Sequence, residues 1–114
     1  MSGISTHVLD TSRGLAAQGV GVRLDRLEAS SRWTTLTGTR TDADGRVKTL
    51  LPPGVTLVSG TYRLTFDTGA YFRGLGVQVF FPSVEVTFAV TDAARHHHVP
   101  LLLSPYGYST YRGT

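Results

Sequence analysis

Short runs in which apolar and polar residues alternate recur along this chain, and tight-turn residues separate them. A period of two is typical of a β-strand with one buried face. Eight such runs cover residues 4–9, 21–27, 34–40, 46–50, 60–66, 83–90, 98–103 and 107–112. The segments between them are rich in Gly, Pro, Asp and Ser, which tight turns require. The pattern therefore predicts an all-β, two-sheet sandwich of about eight strands.

One stretch breaks the strand pattern. Residues 67–75 begin with Asp67, a good helix cap, and offer about two helical turns before Gly74 and Gly76. We expect a single short helix here, joining two strands.

The run at residues 98–103 is apolar on both of its faces. Alternation places His98, Pro100 and Leu102 on one side of the strand, and the intervening valine and leucines on the other. Since a sandwich sheet needs only one apolar face, we expect a second subunit to cover the other. A central strand overlain by loops is the alternative.

Length and composition limit the class of protein to which the chain can belong. The chain has 114 residues, 40% of them hydrophobic and 17% charged, which suits one globular domain over residues 1–114. It contains no cysteine, which excludes disulfides, thiolate catalysis and thiolate metal sites. We expect a cytoplasmic protein, because the N-terminus resembles no signal peptide and no apolar segment is long enough to span a membrane.

The formal charge is +3, and all the basic residues except Lys48 are arginines. These arginines are scattered and are not interleaved with stacking aromatics, so we do not expect nucleic-acid binding. The arginines are nevertheless compatible with a small anionic substrate.

Four histidines, His7, His96, His97 and His98, are the candidates for chemistry. A lone strand histidine such as His7 is more often structural than catalytic. Zinc would need further ligands beside the triplet, and the carboxylates are scattered in turns, so we expect no metal and interpret the triplet as a partly solvated strand edge. Spacing alone names no reaction.

Three segments carry a resemblance to a known family. The opening STHVLD at residues 5–10 with Arg13-Gly14, the TDADGR at residues 41–46, and the closing HVPLLLSPYGYSTYRG at residues 98–113 resemble the 5-hydroxyisourate hydrolases, the transthyretin-related proteins. Residues 60–72 fit the same family. The resemblance runs from about Ile4 to the last residue, and its closing motif is long and specific.

This resemblance implies a transthyretin-like sandwich of two four-stranded sheets, associated as a homotetramer with active sites at the interface between dimers. It implies hydrolysis of 5-hydroxyisourate to 2-oxo-4-hydroxy-4-carboxy-5-ureidoimidazoline, on the route from urate to allantoin, without a cofactor or metal.

The resemblance also implies site residues. By position, His7, Arg46 and His98 match the catalytic trio of the family. The substrate-binding Tyr-Arg-Gly-Ser motif corresponds to Tyr111, Arg112, Gly113 and Thr114. Thr114 replaces the serine of that motif; a hydroxyl is retained, so we expect function to be kept, although the extra methyl alters that corner.

A neutral His7 or His98 can take a proton from the attacking water, and the sequence leaves open which one does. Arg46 can hold the substrate and balance charge that develops on oxygen. Two other interpretations stay open: a transthyretin-like protein that binds a small ligand without catalysis, and a structural or sugar-binding sandwich module. Transthyretin lacks the two histidines and the arginine at these positions, which favours the hydrolase.

Overall fold

The computed structural model of the chain describes residues 3–113, which form nine strands and one helix. The strands are β1 Gly3–Asp10, β2 Leu15–Ala16, β3 Gly21–Leu27, β4 Trp33–Arg40, β5 Arg46–Val47, β6 Gly60–Phe66, β7 Val84–Val90, β8 His96–Ser104 and β9 Gly107–Thr110; the helix α1 is Thr68–Gly74. Each of the eight predicted runs overlaps a strand, although β5 covers only the first two residues of the run predicted at 46–50. The additional strand, β2, has two residues, too few to produce a periodic signal.

The strands form two sheets. One has the order β2-β1-β8-β9, with β5 also paired to β1, and the other has the order β4-β3-β6-β7. The first sheet thus has five strands instead of four, because β2 and β5 pair with different parts of β1: β2 with Leu9 and Asp10, β5 with Thr6 and His7. The predicted all-β transthyretin-like sandwich is confirmed.

The core lies between the sheets and draws on both. Its largest fully buried side chains include Ile4 of β1, Leu24 of β3, Tyr62 and Leu64 of β6, and Leu101 of β8. Alternate residues of each strand contribute, as period-two patterning requires. In β8, Val99, Leu101 and Leu103 face this core, so His98, Pro100 and Leu102 lie on the outer face of the five-stranded sheet.

The pairing of β1 with β8 is parallel, although every other strand pair in the described chain is antiparallel. Its register sets Ser5 opposite His98 and His7 opposite Pro100. The Thr6 hydroxyl donates to the Val99 carbonyl at 2.6 Å and reinforces the pairing. Residues from the beginning and the end of the chain therefore share one face.

The predicted short helix is confirmed as α1. The Asp67 carboxylate accepts a hydrogen bond from the Ala70 amide at 3.1 Å, so it caps the first turn. The Tyr71 hydroxyl of this helix donates to the buried Asp10 carboxylate at 2.8 Å, which ties α1 to the end of β1. No helix among residues 3–113 is long and apolar enough to cross a membrane.

Candidate active site

The outer face of the five-stranded sheet brings the three predicted catalytic residues together. His7 of β1 is the register partner of Arg46 of β5 on one side and of Pro100 of β8 on the other. His98 lies on β8 two residues before Pro100. Since neighbouring strands are about 4.8 Å apart and two residues advance a strand by about 6.6 Å, the Cα atoms of His7 and His98 are about 8 Å apart.

A tight loop before β5 delivers Arg46 to this face. The Asp42 carboxylate accepts hydrogen bonds from the Asp44 amide at 2.9 Å and the Arg46 amide at 3.0 Å. Gly45 has a φ of 74° and its carbonyl accepts from the Val8 amide at 2.7 Å. A β-carbon on Gly45 would collide with the Val8 carbonyl oxygen, so only glycine allows the loop to lie this close to β1.

The same loop fixes the His7 ring. Nε2 of His7 lies 2.9 Å from the carbonyl oxygen of Asp44. A carbonyl can only accept, so Nε2 carries the hydrogen and Nδ1 carries the lone pair of the neutral ring. In that tautomer, Nδ1 is the nitrogen that can accept a hydrogen bond.

Two neighbours hold the His98 ring. Its Nδ1 lies 2.7 Å from the Ser5 hydroxyl, and that hydroxyl also lies 2.7 Å from Nε2 of His96. On the other side, a β-carbon built on Gly113 would lie 2.7 Å from Cδ2 of His98. The Gly113 amide donates to the His98 carbonyl at 2.8 Å. With Nδ1 engaged by Ser5, Nε2 is the ring nitrogen that can meet a ligand.

Burial and nearby positive charge keep His98 neutral. Its pKa is lowered, first by burial, then by the charge of Arg46, and further by His7 and His96. A lowered pKa leaves the imidazole unprotonated near pH 7. The Asp42 pKa is also lowered, chiefly by the hydrogen bond from the Arg46 amide, so the loop that carries Arg46 keeps its carboxylate charged.

The closing residues lie beside β8. Gly113 contacts His98 directly. Arg112 lines a cavity of about 240 Å³ together with His98, His97 and Phe88, and its charge contributes to a lowered pKa at His97. Tyr111, which is exposed, lines the same cavity. Thr114 lies outside the described residues.

The structure adds two residues that the sequence did not single out for this site, Ser5 and the exposed His96. Ser5 shares the outer face of β1 with His7, but only the parallel register with β8 sets it against two histidines. His97 is 5% exposed and faces the core, so the interpretation of the triplet as a solvated edge is wrong at its middle member. Within residues 3–113, no group of three or more His, Cys, Asp or Glu side chains could hold a metal ion.

A model of the HIUase/Transthyretin family matches residues 4–113. This chain belongs to that family. The HIUase/transthyretin fold accounts for the sandwich, and the matched range includes every described residue of the outer-face site.

Similar proteins agree with this membership. The chain is 49% identical to the mouse 5-hydroxyisourate hydrolase, over 99% of this chain and 96% of the mouse protein. The solved 5-hydroxyisourate hydrolase of Klebsiella pneumoniae is 40% identical, with a TM-score of 0.85 over 100% of this chain and 94% of that one. Sea bream transthyretin, solved with thyroxine, is 31% identical, with a TM-score of 0.89 over 97% of this chain and 94% of that one.

Proposed function

We propose that this family member is a 5-hydroxyisourate hydrolase that converts 5-hydroxyisourate to 2-oxo-4-hydroxy-4-carboxy-5-ureidoimidazoline in the degradation of urate to allantoin. The observation that carries the proposal is the convergence of His7, Arg46 and His98 on one outer face. The curated hydrolase of the mouse, at 49% identity, supports the same substrate.

We assign the general base to His98. Its Nε2 is the nitrogen available to a ligand, and its lowered pKa provides a neutral imidazole. As Nε2 removes a proton from water, the water oxygen bonds to a ring carbonyl carbon, and the carbonyl electron pair moves to oxygen. When the carbonyl re-forms, the carbon–nitrogen bond breaks, and the departing nitrogen takes the proton from His98. One water is consumed, and the ring opens to a carboxylic acid and an N–H group.

The other two residues of the trio bind and orient. Arg46 is permanently charged and can balance the negative charge that develops on the carbonyl oxygen. His7 donates from Nε2 to the Asp44 carbonyl, so its Nδ1 lone pair is the group left to accept an N–H of the substrate. Because the Asp42–Gly45 loop holds both His7 and Arg46, these two residues act as one preorganised unit.

We also assign substrate binding to Tyr111, Arg112, Gly113 and Thr114. Gly113 has the strongest support, since it packs against the His98 ring. Tyr111 and Arg112 border the cavity beside β8, where they would contact a substrate that extends past His98. The assignment of Thr114 rests on its position in the closing motif.

The alternative is ligand binding without catalysis, as in transthyretin. The fold does not separate the two, because the sea bream transthyretin has a TM-score of 0.89 against this chain. The sequence identities favour the hydrolase, since they are 49% and 40% for the two hydrolases and 31% for this transthyretin. A neutral imidazole beside an arginine is also a group for proton transfer, which a carrier of thyroxine does not need.

We propose a homotetramer whose active sites lie between dimers. Apolar side chains continue the site along the outer face, where the register partners Leu9 and Leu102 are half-buried. Burying this face against a second copy would remove that area from water. Light scattering should give four times the mass of one chain, and a monomer at micromolar concentration would contradict the assembly.

We also propose that residues 1–114 act as one hydrolase domain in the cytoplasm. A single cluster of buried residues joins both sheets, which supports one domain. The lack of cysteine suits a reducing compartment. Fractionation of the source cells tests the location.

One experiment decides the activity. Urate and urate oxidase generate 5-hydroxyisourate in the cuvette, and its ultraviolet decay is followed with and without this protein. We expect the decay to accelerate in proportion to protein concentration. Decay at the spontaneous rate, with a protein whose circular dichroism confirms folding, would refute the hydrolase and leave the ligand-binding alternative.

A further inference from the structure

The Ser5 hydroxyl lies between two imidazoles. Its Oγ is 2.7 Å from Nδ1 of His98 and 2.7 Å from Nε2 of His96. Ser5 is only 7% exposed, so water has little access to replace either contact. A buried hydroxyl with two ring nitrogens as partners constrains the protons on both rings.

A serine hydroxyl has one hydrogen to donate and lone pairs to accept with. Two arrangements donate this hydrogen to one imidazole while the oxygen accepts from the other. In one arrangement, His98 donates from Nδ1 to Ser5, and Ser5 donates to Nε2 of His96. In the other, His96 donates to Ser5, and Ser5 donates to Nδ1 of His98.

Only the first arrangement prepares His98 as a base. With the hydrogen on Nδ1, the lone pair of the neutral ring lies on Nε2, which is the nitrogen available to a ligand. In the second arrangement, Nε2 carries the hydrogen and cannot take a proton from water. The direction of the Ser5 hydroxyl therefore decides whether His98 can act.

We propose that Ser5 and His96 are positioning residues that hold His98 in the Nδ1–H tautomer, through the chain His98 Nδ1–H to Ser5 Oγ–H to His96 Nε2. The catalytic meaning of this relay rests on the proposed hydrolysis with His98 as the base. Neither Ser5 nor His96 contacts the substrate in this assignment; both act through His98.

The packing of His98 supports the relay. A β-carbon built on Gly113 would lie 2.7 Å from Cδ2 and 3.2 Å from Cβ and Cγ of His98, so Gly113 packs against the side of the ring while Nδ1 contacts Ser5. Arg46, His7 and His96 are the charged or titratable groups acting on His98, and burial acts with them to disfavour its imidazolium. A neutral ring has two tautomers, so a contact such as that with Ser5 can select one of them.

The test measures the tautomer without substrate. Long-range proton–nitrogen correlation spectra of ¹⁵N-histidine protein distinguish protonated from unprotonated ring nitrogens, and the spectrum of His98→Ala identifies the signals of His98. We expect Nδ1 of wild-type His98 to carry the hydrogen, and Ser5→Ala to shift His98 towards the Nε2–H form. An Nε2–H tautomer in the wild type, or an unchanged tautomer in Ser5→Ala, would overturn the relay.

Kinetics provide the second readout. We expect Ser5→Ala to lower kcat about tenfold, the effect of losing roughly 1.4 kcal/mol of stabilisation, with KM changed by less than about twofold. His96→Leu should lower kcat similarly because it removes the acceptor of the Ser5 hydrogen. His96→Gln should restore most of the activity, since its amide oxygen can accept. Equal kcat values for His96→Leu and His96→Gln would contradict the relay.

Ser83→Ala is the matched control, because Ser83 is exposed and lies before β7 in the other sheet. It should change neither kcat nor the His98 tautomer. The tautomer is read without substrate, so a wild-type protein that fails to accelerate 5-hydroxyisourate decay would refute the hydrolase without deciding the tautomer measurement.

Discussion

Gly113 forms a wall against the imidazole of His98. Its amide donates to the His98 carbonyl at 2.8 Å, and a β-carbon at Gly113 would lie 2.7 Å from Cδ2 of the ring. Real β-carbons do not approach other atoms so closely, so a side chain here would displace the ring. At Gly113 the closing motif therefore places only backbone atoms against the ring. This contact holds His98 against Ser5.

Gly113→Ala should lower kcat by about tenfold or more, because the displaced ring loses its alignment with the reacting water. Global stability should change by less than about 1 kcal/mol, since residue 113 lies beyond the last strand. Gly107→Ala is the control, because its β-carbon would be 3.7 Å from the Ser104 hydroxyl, an ordinary contact. Equal activities of the two variants would contradict the role of Gly113 in positioning the His98 ring.

His98→Ala and Arg46→Ala should each keep the fold and lose most of the activity. Loss of a general base costs about 10²–10⁴-fold in rate, and loss of a charge that stabilises an oxyanion costs about 10²–10³-fold. Steady-state rates on 5-hydroxyisourate made in situ measure both, with the exposed Arg32→Ala as the control. Near wild-type rates in either variant would refute the assignment of that residue.

Gly45→Ala should destabilise the protein more than Gly54→Ala. Both glycines have positive φ values, 74° and 83°, and alanine pays about 1–2 kcal/mol for that conformation. At Gly54 the new β-carbon meets nothing within 4 Å, whereas at Gly45 it collides with the Val8 carbonyl oxygen. Urea unfolding should therefore give a loss of about 3 kcal/mol or more for Gly45→Ala; equal losses would show that the collision is relieved at no cost.

A buried carboxylate on the other sheet should confer stability that acid removes. Asp25 is 1% exposed and accepts from Arg63 at 3.0 Å, Arg23 at 3.2 Å and Thr35 at 2.8 Å. Burial raises its pKa, but the hydrogen bonds from Thr35 and Arg63 and the charge of Arg23 together lower it below 3.8. The stabilisation is thus present above pH 3.8 and is lost as pH falls through the lowered value.

Asp25→Ala should cost about 2 kcal/mol near pH 7, less than a fully buried pair because the arginines reach solvent. Arg63→Ala should cost more than Arg23→Ala, since Arg63 is 19% and Arg23 47% exposed and Arg63 also lies 4.2 Å over the Trp33 ring. Urea unfolding at pH 7 and pH 3.5 checks both statements. A larger loss for Arg23→Ala would contradict the order.

The buried His97 should make the protein less stable in weak acid. Its pKa is lowered, chiefly by burial, so the unfolded chain takes up the proton more readily than the folded one. The free energy of unfolding then falls as pH drops below about 6.5, the unperturbed histidine value. Urea unfolding between pH 7.5 and 5.5 should show a shallower fall for His97→Leu than for the wild type, and parallel curves would refute this.

The strands and the helix followed from the sequence because local patterning determines them. Period-two runs predicted eight strands, and Asp67 with Gly74 bounded the helix. The two-residue strand β2 was not predicted, since such a strand is defined by its partner and not by its own pattern. The burial of His97 was not predicted either, because alternation indicates which residues share a face but not which face is inward.

The contacts of Ser5 could not be predicted. They depend on the register between β1 and β8, and a parallel pairing of strands so distant in sequence leaves no local signal. The resemblance supplied the trio, but only coordinates connect Ser5 to it.

The adjacency of β1 and β8 has a consequence for biosynthesis. Ser5 and His98 are 93 positions apart, so a ribosome must translate nearly the whole message before the first strand can meet this partner. Until then β1 exposes an unpaired edge to the cell, and the loop to be closed is long, which slows folding. A nascent chain stalled before β8 would lack His98 and would leave this edge of β1 unpaired.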